Sequence, residues 1–152
     1  MGTEGPVLLC YDGSAGAALA IGDAAALFPG RRALVLSVWS SPIGMAVHGM
    51  ATEAHEHREE QRRIASAHAS EGCELARAAG LQAEPITANG SREGTPQAIL
   101  DAADERDAGV IVVGARGLGG LQAIFLGSVS EPVVRHARRP VLVVPTRKAA
   151  AG

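Results

Sequence analysis

Five short apolar runs, separated by helix-forming stretches, constrain this chain more than any other feature. The runs are Pro6–Tyr11, Arg32–Trp39, Leu81–Ala88, Val110–Val113 and Val141–Val144. Short continuous runs of Val, Leu and Ile fit strands buried on both faces. Pro85 weakens the third. Between them, Ala15–Phe28 reads as a helix closed by Pro29-Gly30. Thr52–Ala79 reads as a long helix ending at Gly80, with Gly72 as an interior breaker. Thr95–Arg106 follows, with Thr95 as cap and Pro96 at the first helical position. Ser128–His136 is the last helix, with Pro132 near its start. Strict alternation of this kind implies an α/β fold: one parallel sheet, helices on both faces, right-handed crossovers. Such sheets bind ligands beyond the carboxyl ends of their strands, here Asp12, Val38–Trp39, Ala88–Gly90 and Gly114. No repeat or linker divides the chain, so a single domain over 1–152 is expected, with an ordered core of about 5–146 and a frayed tail.

The composition removes several classes of function. At 152 residues, a domain buries roughly two-thirds of its unfolded surface and needs no metal or disulfide staple. Aromatic residues make up 3%, too few for base stacking on a single strand, and the net charge of −2 provides no basic field. Nucleic acid is therefore not an expected partner. Nor is a membrane, because no apolar run approaches a bilayer span and no leader pattern opens the chain. Cys10 lies in a strand-like run and Cys73 in a helix-like one, and both read as reduced thiols of a cytoplasmic protein.

The segment from Gly114 to Ser130 carries the strongest chemical signal. It reads Gly-Ala-Arg-Gly-Leu-Gly-Gly-Leu-Gln-Ala-Ile-Phe-Leu-Gly-Ser-Val-Ser, after a strand and before a helix. Glycines let a backbone approach an anion closely, and amides at a helix start face phosphates. Ser128 and Ser130 add hydroxyls. No Gly-Lys-Ser/Thr follows, so this is no Walker loop. The glycines come after the fourth strand, and no acidic residue about 20 positions on ends a strand, so the dinucleotide fingerprint does not fit either. Taken alone, the segment is also compatible with a tight glycine turn capped by serines.

Gly114-x2-Gly117-x9-Gly127-Ser128 resembles the G-x2-G-x9-G-[ST] signature of the ATP-binding branch of the universal stress protein family. Val7–Ser14, Val110–Gly114 and the stretch from Gly127 to Val144 resemble the same family, so the likeness covers nearly the whole chain. It implies a single doubly wound, five-stranded parallel sheet in order 3-2-1-4-5, Rossmann-like and similar to adenine nucleotide alpha hydrolases. It also implies ATP as ligand, carrying Mg2+ or Mn2+ on its phosphates near Asp12. By resemblance, Asp12 lies against the nucleotide and the Val38 backbone meets adenine. Gly114 and Gly117 then run along ribose and phosphates, while Gly127, Ser128, Val129 and Ser130 grip the phosphates. Arg116 can reach a phosphate or face solvent. Without the resemblance, Asp12 reads as a cap of the first helix and Val38 as core. The implied order leaves Val141–Val144 at an edge, a wholly apolar strand without Lys or internal Pro, and a homodimer through it is expected.

Other constellations are weaker. His48, His55, His57 and His68 surround the long helix with Glu53, Glu56, Glu59 and Glu60, but lack ordinary zinc spacing. Ser14 precedes no base at triad spacing, and no Gly-x-Ser-x-Gly elbow occurs. The expected role is a nucleotide-dependent regulatory protein of the stress response, with at most slow hydrolysis. A weak ATPase or phosphotransferase, a cyclic AMP-binding signalling module and a dimeric adaptor with an empty pocket remain open.

Overall fold

The computed structural model describes residues 2–41, 51–115 and 127–145. The elements run β1 (Val7–Cys10), α1 (Ala15–Leu27), β2 (Arg32–Trp39), α2 (Ala51–Ala78), β3 (Gln82–Asn89), α3 (Thr95–Glu105), β4 (Val110–Ala115), α4 (Ser130–His136) and β5 (Val141–Pro145). All strand pairs are parallel, and the sheet order is β3-β2-β1-β4-β5. This is the expected doubly wound arrangement.

Side-chain alternation along the strands divides the core in two. Val7 and Leu9 of β1, with Ala33 and Val35 of β2, pack against α1 and α2. Leu8, Leu34 and Leu36 face the other way, onto Ile99, Ala102 and Ala103 of α3 and Val133 of α4. With both faces covered, the buried positions of the central strands are apolar, with Ser37 of β2 as the exception. Alanines at 17, 20, 24 and 25 give α1 a smooth buried face that lies close to the sheet.

Gly72 does not break α2, which runs unbroken for 28 residues. Ala65, Ala69, Cys73 and Ala76 form its buried stripe. A Cβ at Gly72 would lie 2.7 Å from Val35 Cγ1 and 2.9 Å from Tyr11 Cδ1. The glycine is therefore a contact point where the helix touches the sheet.

Three local expectations shift. The cap of α3 is Gly94, at φ 93°, and Thr95 falls inside the helix. A left-handed cap favours glycine over threonine. β4 continues through Gly114 and Ala115, which pair with Val144 and Pro145. α4 begins at Ser130, not Ser128.

The two sheet edges differ. β3 is an outer strand that carries Pro85 at its centre, a residue with no N–H to offer, which is tolerated at an edge. β5, the opposite edge, reads Val-Leu-Val-Val-Pro, with its proline at the end. Arg139, just before β5, has its guanidinium buried and donates to Ala108 O and Asp104 Oδ1 at 2.6 Å each. Among the described residues, no helix is long and apolar enough to cross a membrane.

Candidate functional site

At the carboxyl ends of β1, β2 and β4 lies a cleft of about 650 Å³. It sits where the strand order reverses between β1 and β4.

Asp12 stands at its rim, on the turn after β1. Tyr11 N donates to Leu36 O at 2.9 Å, so the chain stays tied to the sheet until that turn begins. Gly13, at φ 84°, reverses the chain. Ser14 N donates to Asp12 Oδ1 at 3.0 Å, and Ser14 Oγ accepts from Ala17 N at 3.2 Å. The helix cap is therefore Ser14, and Asp12 shapes the turn before it.

Val38 and Leu36 of β2, with Ile99 of α3, give the cleft an apolar side, and Thr95 stands at the first turn of α3. Gly114 forms the floor between β4 and α1. A Cβ there would sit 3.4 Å from Gly16 O, so the strand and the start of α1 converge at this point. Gly127, Val129 and Ser130 close the opposite wall. Ser130 is buried, and its Oγ accepts from Gly127 N at 2.8 Å. Its hydroxyl is therefore built into the turn before α4. Ser128 is exposed and outside the described lining. Arg116 and Gly117 lie outside the described residues.

The electrostatics are simple. Among the described lining residues, Asp12 carries the one carboxylate and none is basic. Burial pushes the Cys10 thiol up to about 12, with the Asp12 charge as a smaller cause. Tyr11 also rises to about 12, first through burial, then through its hydrogen bond to Glu71 and the charges of Glu71 and Asp12. Both groups are neutral at physiological pH. Among the described residues, no group of three or more His, Cys, Asp or Glu could hold a metal ion.

Of the residues singled out in the sequence, Asp12, Val38, Gly114, Gly127, Val129 and Ser130 come together in this one cleft. Tyr11, Gly16, Leu36, Thr95 and Ile99 line it too, and sequence reasoning missed them. Tyr11 adjoins Asp12 at the end of the first run, and Thr95 opens the helix after the third strand, which were the available signals.

The universal stress protein family model matches residues 5–145. A universal stress protein of Thermus aquaticus is 37% identical over 142 residues, covering 91% of this chain and 96% of that protein. Universal stress protein YxiE of Bacillus subtilis is 46% identical over 65 residues, a match spanning 43% of this chain and 42% of that protein's length. Among solved structures, hypothetical protein MJ0577 superposes with a TM-score of 0.76 at 21% identity, covering 97% of this chain and 99% of the other, a likeness of fold. The universal stress protein from Archaeoglobus fulgidus in complex with dAMP gives a TM-score of 0.58 at 25% identity, covering 91% and 96%. A universal stress protein in complex with cAMP gives 0.53 at 25%, covering 92% and 95%. With the family model matched over nearly its whole length and a relative aligned almost end to end, this chain belongs to the universal stress protein family.

Proposed function

We propose that this protein binds an adenine nucleotide, ATP with a divalent cation, in the cleft at the ends of β1, β2 and β4, and acts as a nucleotide-dependent regulator. The observation that supports this most is the convergence of Asp12, Val38, Gly114, Gly127, Val129 and Ser130 on one cleft of about 650 Å³. That volume lies in the range of small-molecule sites. The complexes of two relatives with dAMP and cAMP favour an adenine ligand. Leu36, Val38 and Ile99 offer apolar surface to a base. The backbone at Gly114 and Gly127 gives room for phosphates, with Val129 and Ser130 beside them; the family resemblance would add Arg116, Gly117 and Ser128 to the same role.

Asp12 argues for the cation. A carboxylate facing a triphosphate is repulsive unless a positive charge lies between them. With no metal-binding cluster among the described residues, the phosphates would supply most ligands to Mg2+ or Mn2+, and Asp12 at most one oxygen. Hydrolysis is slow on this reading, because fast phosphoryl transfer needs a positioned base and cationic clamps. No lysine or arginine is among the described lining residues.

Mass analysis of ligand released from freshly purified protein, followed by calorimetric titration with ATP, dAMP and cAMP, tests the proposal. An empty protein that binds none of the three would sink it. Asp12→Asn should weaken Mg-ATP binding about tenfold and tighten binding without the cation, because the repulsion between carboxylate and phosphates is gone. The amide oxygen can still accept from Ser14 N, so the melting temperature of the empty protein should move little. A large loss of stability with unchanged affinity would assign Asp12 to the turn alone.

The reading includes a homodimer through β5. Its first three residues are partly exposed and apolar, and an apolar edge strand invites pairing. Pairing with the same strand of a second copy under two-fold symmetry satisfies both edges. Val143→Lys should shift the dimer to monomer in light scattering at micromolar concentration. A monomeric wild type would overturn the dimer, and an unaffected variant would move the interface elsewhere.

A further inference from the structure

The helix that covers β2 and β3 also supports the turn that carries Asp12. Tyr11 Oη donates to Glu71 Oε1 at 2.6 Å. The Tyr11 ring meets His68 edge-on, with centroids 6.5 Å apart and planes at 88°. The His68 imidazole lies against the backbone of the next turn residue: a Cβ at Gly13 would fall 2.9 Å from its Nε2. Gly72 completes the contact by letting α2 reach Tyr11. Tyr11 and Gly13, on either side of Asp12, thus rest on His68, Glu71 and Gly72 of α2. Yet among the described lining residues of the cleft, none comes from α2.

We propose that Tyr11, Glu71 and His68 form a strut that fixes the Asp12 turn, making Tyr11 a positioning residue and coupling nucleotide binding to the docking of α2. The proposal rests on the reading that the cleft takes an adenine nucleotide. Its physical basis is the stiffness of a short charge-assisted hydrogen bond, applied one residue from the carboxylate that faces the phosphates. The phenol, neutral at physiological pH, is the donor this bond requires. Coupling is reciprocal: if docked α2 favours the nucleotide, the nucleotide favours docked α2 to the same degree.

The test is a double-mutant cycle read by ATP titration with Mg2+. Tyr11→Phe keeps the ring and removes the hydroxyl, while Glu71→Ala removes the acceptor. Each should raise the Kd about five- to tenfold, on the order of one lost hydrogen bond to a charged group, and the double variant should be no worse than either. Glu71→Gln, which still accepts, should stay within about twofold of wild type. ATP should slow hydrogen exchange along 65–76 of α2 in wild type and no longer do so in Glu71→Ala. Arg77→Ala serves as control, since it removes the bond from Arg77 Nε to Ala83 O at the far end of the same helix. It should lower stability and leave the Kd unchanged. A Kd raised equally by Arg77→Ala would reduce the effect to general destabilisation and overturn the strut. Unchanged affinity in both Tyr11→Phe and Glu71→Ala, with wild type binding, would overturn the strut alone. A wild type that binds no adenine nucleotide would overturn the underlying reading and the strut with it.

Discussion

Gly72→Ala should destabilise the protein by about 1–2 kcal/mol, against the ordinary rule for helices. In a helix interior, alanine is better than glycine by about 1 kcal/mol. At position 72 the added methyl would have to occupy space 2.7 Å from Val35 Cγ1 and 2.9 Å from Tyr11 Cδ1. Overpacking of that kind costs about 1–3 kcal/mol, and the upper part of that range applies because both neighbours sit in the core and cannot swing into solvent, leaving about 1–2 kcal/mol after the helix gain. Gly72→Val should lose more, lifting α2 from β1 and β2. Gly22→Ala is the internal contrast. It lies within α1, and a Cβ there meets nothing within 4 Å. The same chemical change should therefore stabilise by about 0.5–1 kcal/mol. Urea unfolding of the three proteins, compared at equal m-value, measures both signs. If Gly72→Ala raises the midpoint as Gly22→Ala does, the close seating of α2 on the sheet is wrong.

The largest functional effect belongs to Gly114→Val. Gly114 pairs with Val144 in the sheet while its open side faces the start of α1, with Gly16 O 3.4 Å from the position a Cβ would take. An alanine fits there at near-ordinary contact, so Gly114→Ala should fold and bind ATP about tenfold more weakly. Valine adds two methyls across the floor of the cleft, where the proposed phosphates pass. The Kd should rise on the order of a hundredfold, about 2.7 kcal/mol. Strand propensity favours valine over glycine, which limits damage to the fold itself. Calorimetry, with circular dichroism of the empty variants, separates the two effects. A folded Gly114→Val protein with wild-type affinity would remove the glycine floor from the nucleotide path.

The sheet was legible because its pattern is redundant. β2 runs from Arg32 to Trp39, the bounds its apolar run implies, since both faces of a central strand are buried and the run from Ala33 to Leu36 reports it at each residue. The errors fall where a glycine has two meanings. At 114, glycine reads as the start of a loop, yet it is the penultimate residue of β4, kept small by the approach of α1. At 72 it reads as a helix breaker, yet the helix continues because tertiary contact, not propensity, selects it. At 94 a glycine caps α3 in place of the expected Thr95, with a positive φ that threonine would adopt only with strain. The candidate cleft was legible through its polar and glycine residues, Asp12, Gly114, Gly127 and Ser130. Leu36 and Ile99 were not, because a residue lining an apolar cleft has the same chemistry as one in the core. Tyr11 and Glu71, 60 residues apart, meet only through the packing of α2, and no local pattern announces such a pair.

The unequal edges of the sheet have a consequence for growth. Pro85 withholds a hydrogen-bond donor in the middle of β3, while β5 has its proline only at the last position. A sheet with two open margins can add strands at both sides and extend without limit. If β5 pairs with a second copy as proposed, this one has a valence of one. Once its β5 margin is occupied, nothing equivalent is left for the next molecule, so association along the sheet should saturate at a fixed stoichiometry as concentration rises, and the same proline that interrupts β3 would stop a fibre before it began.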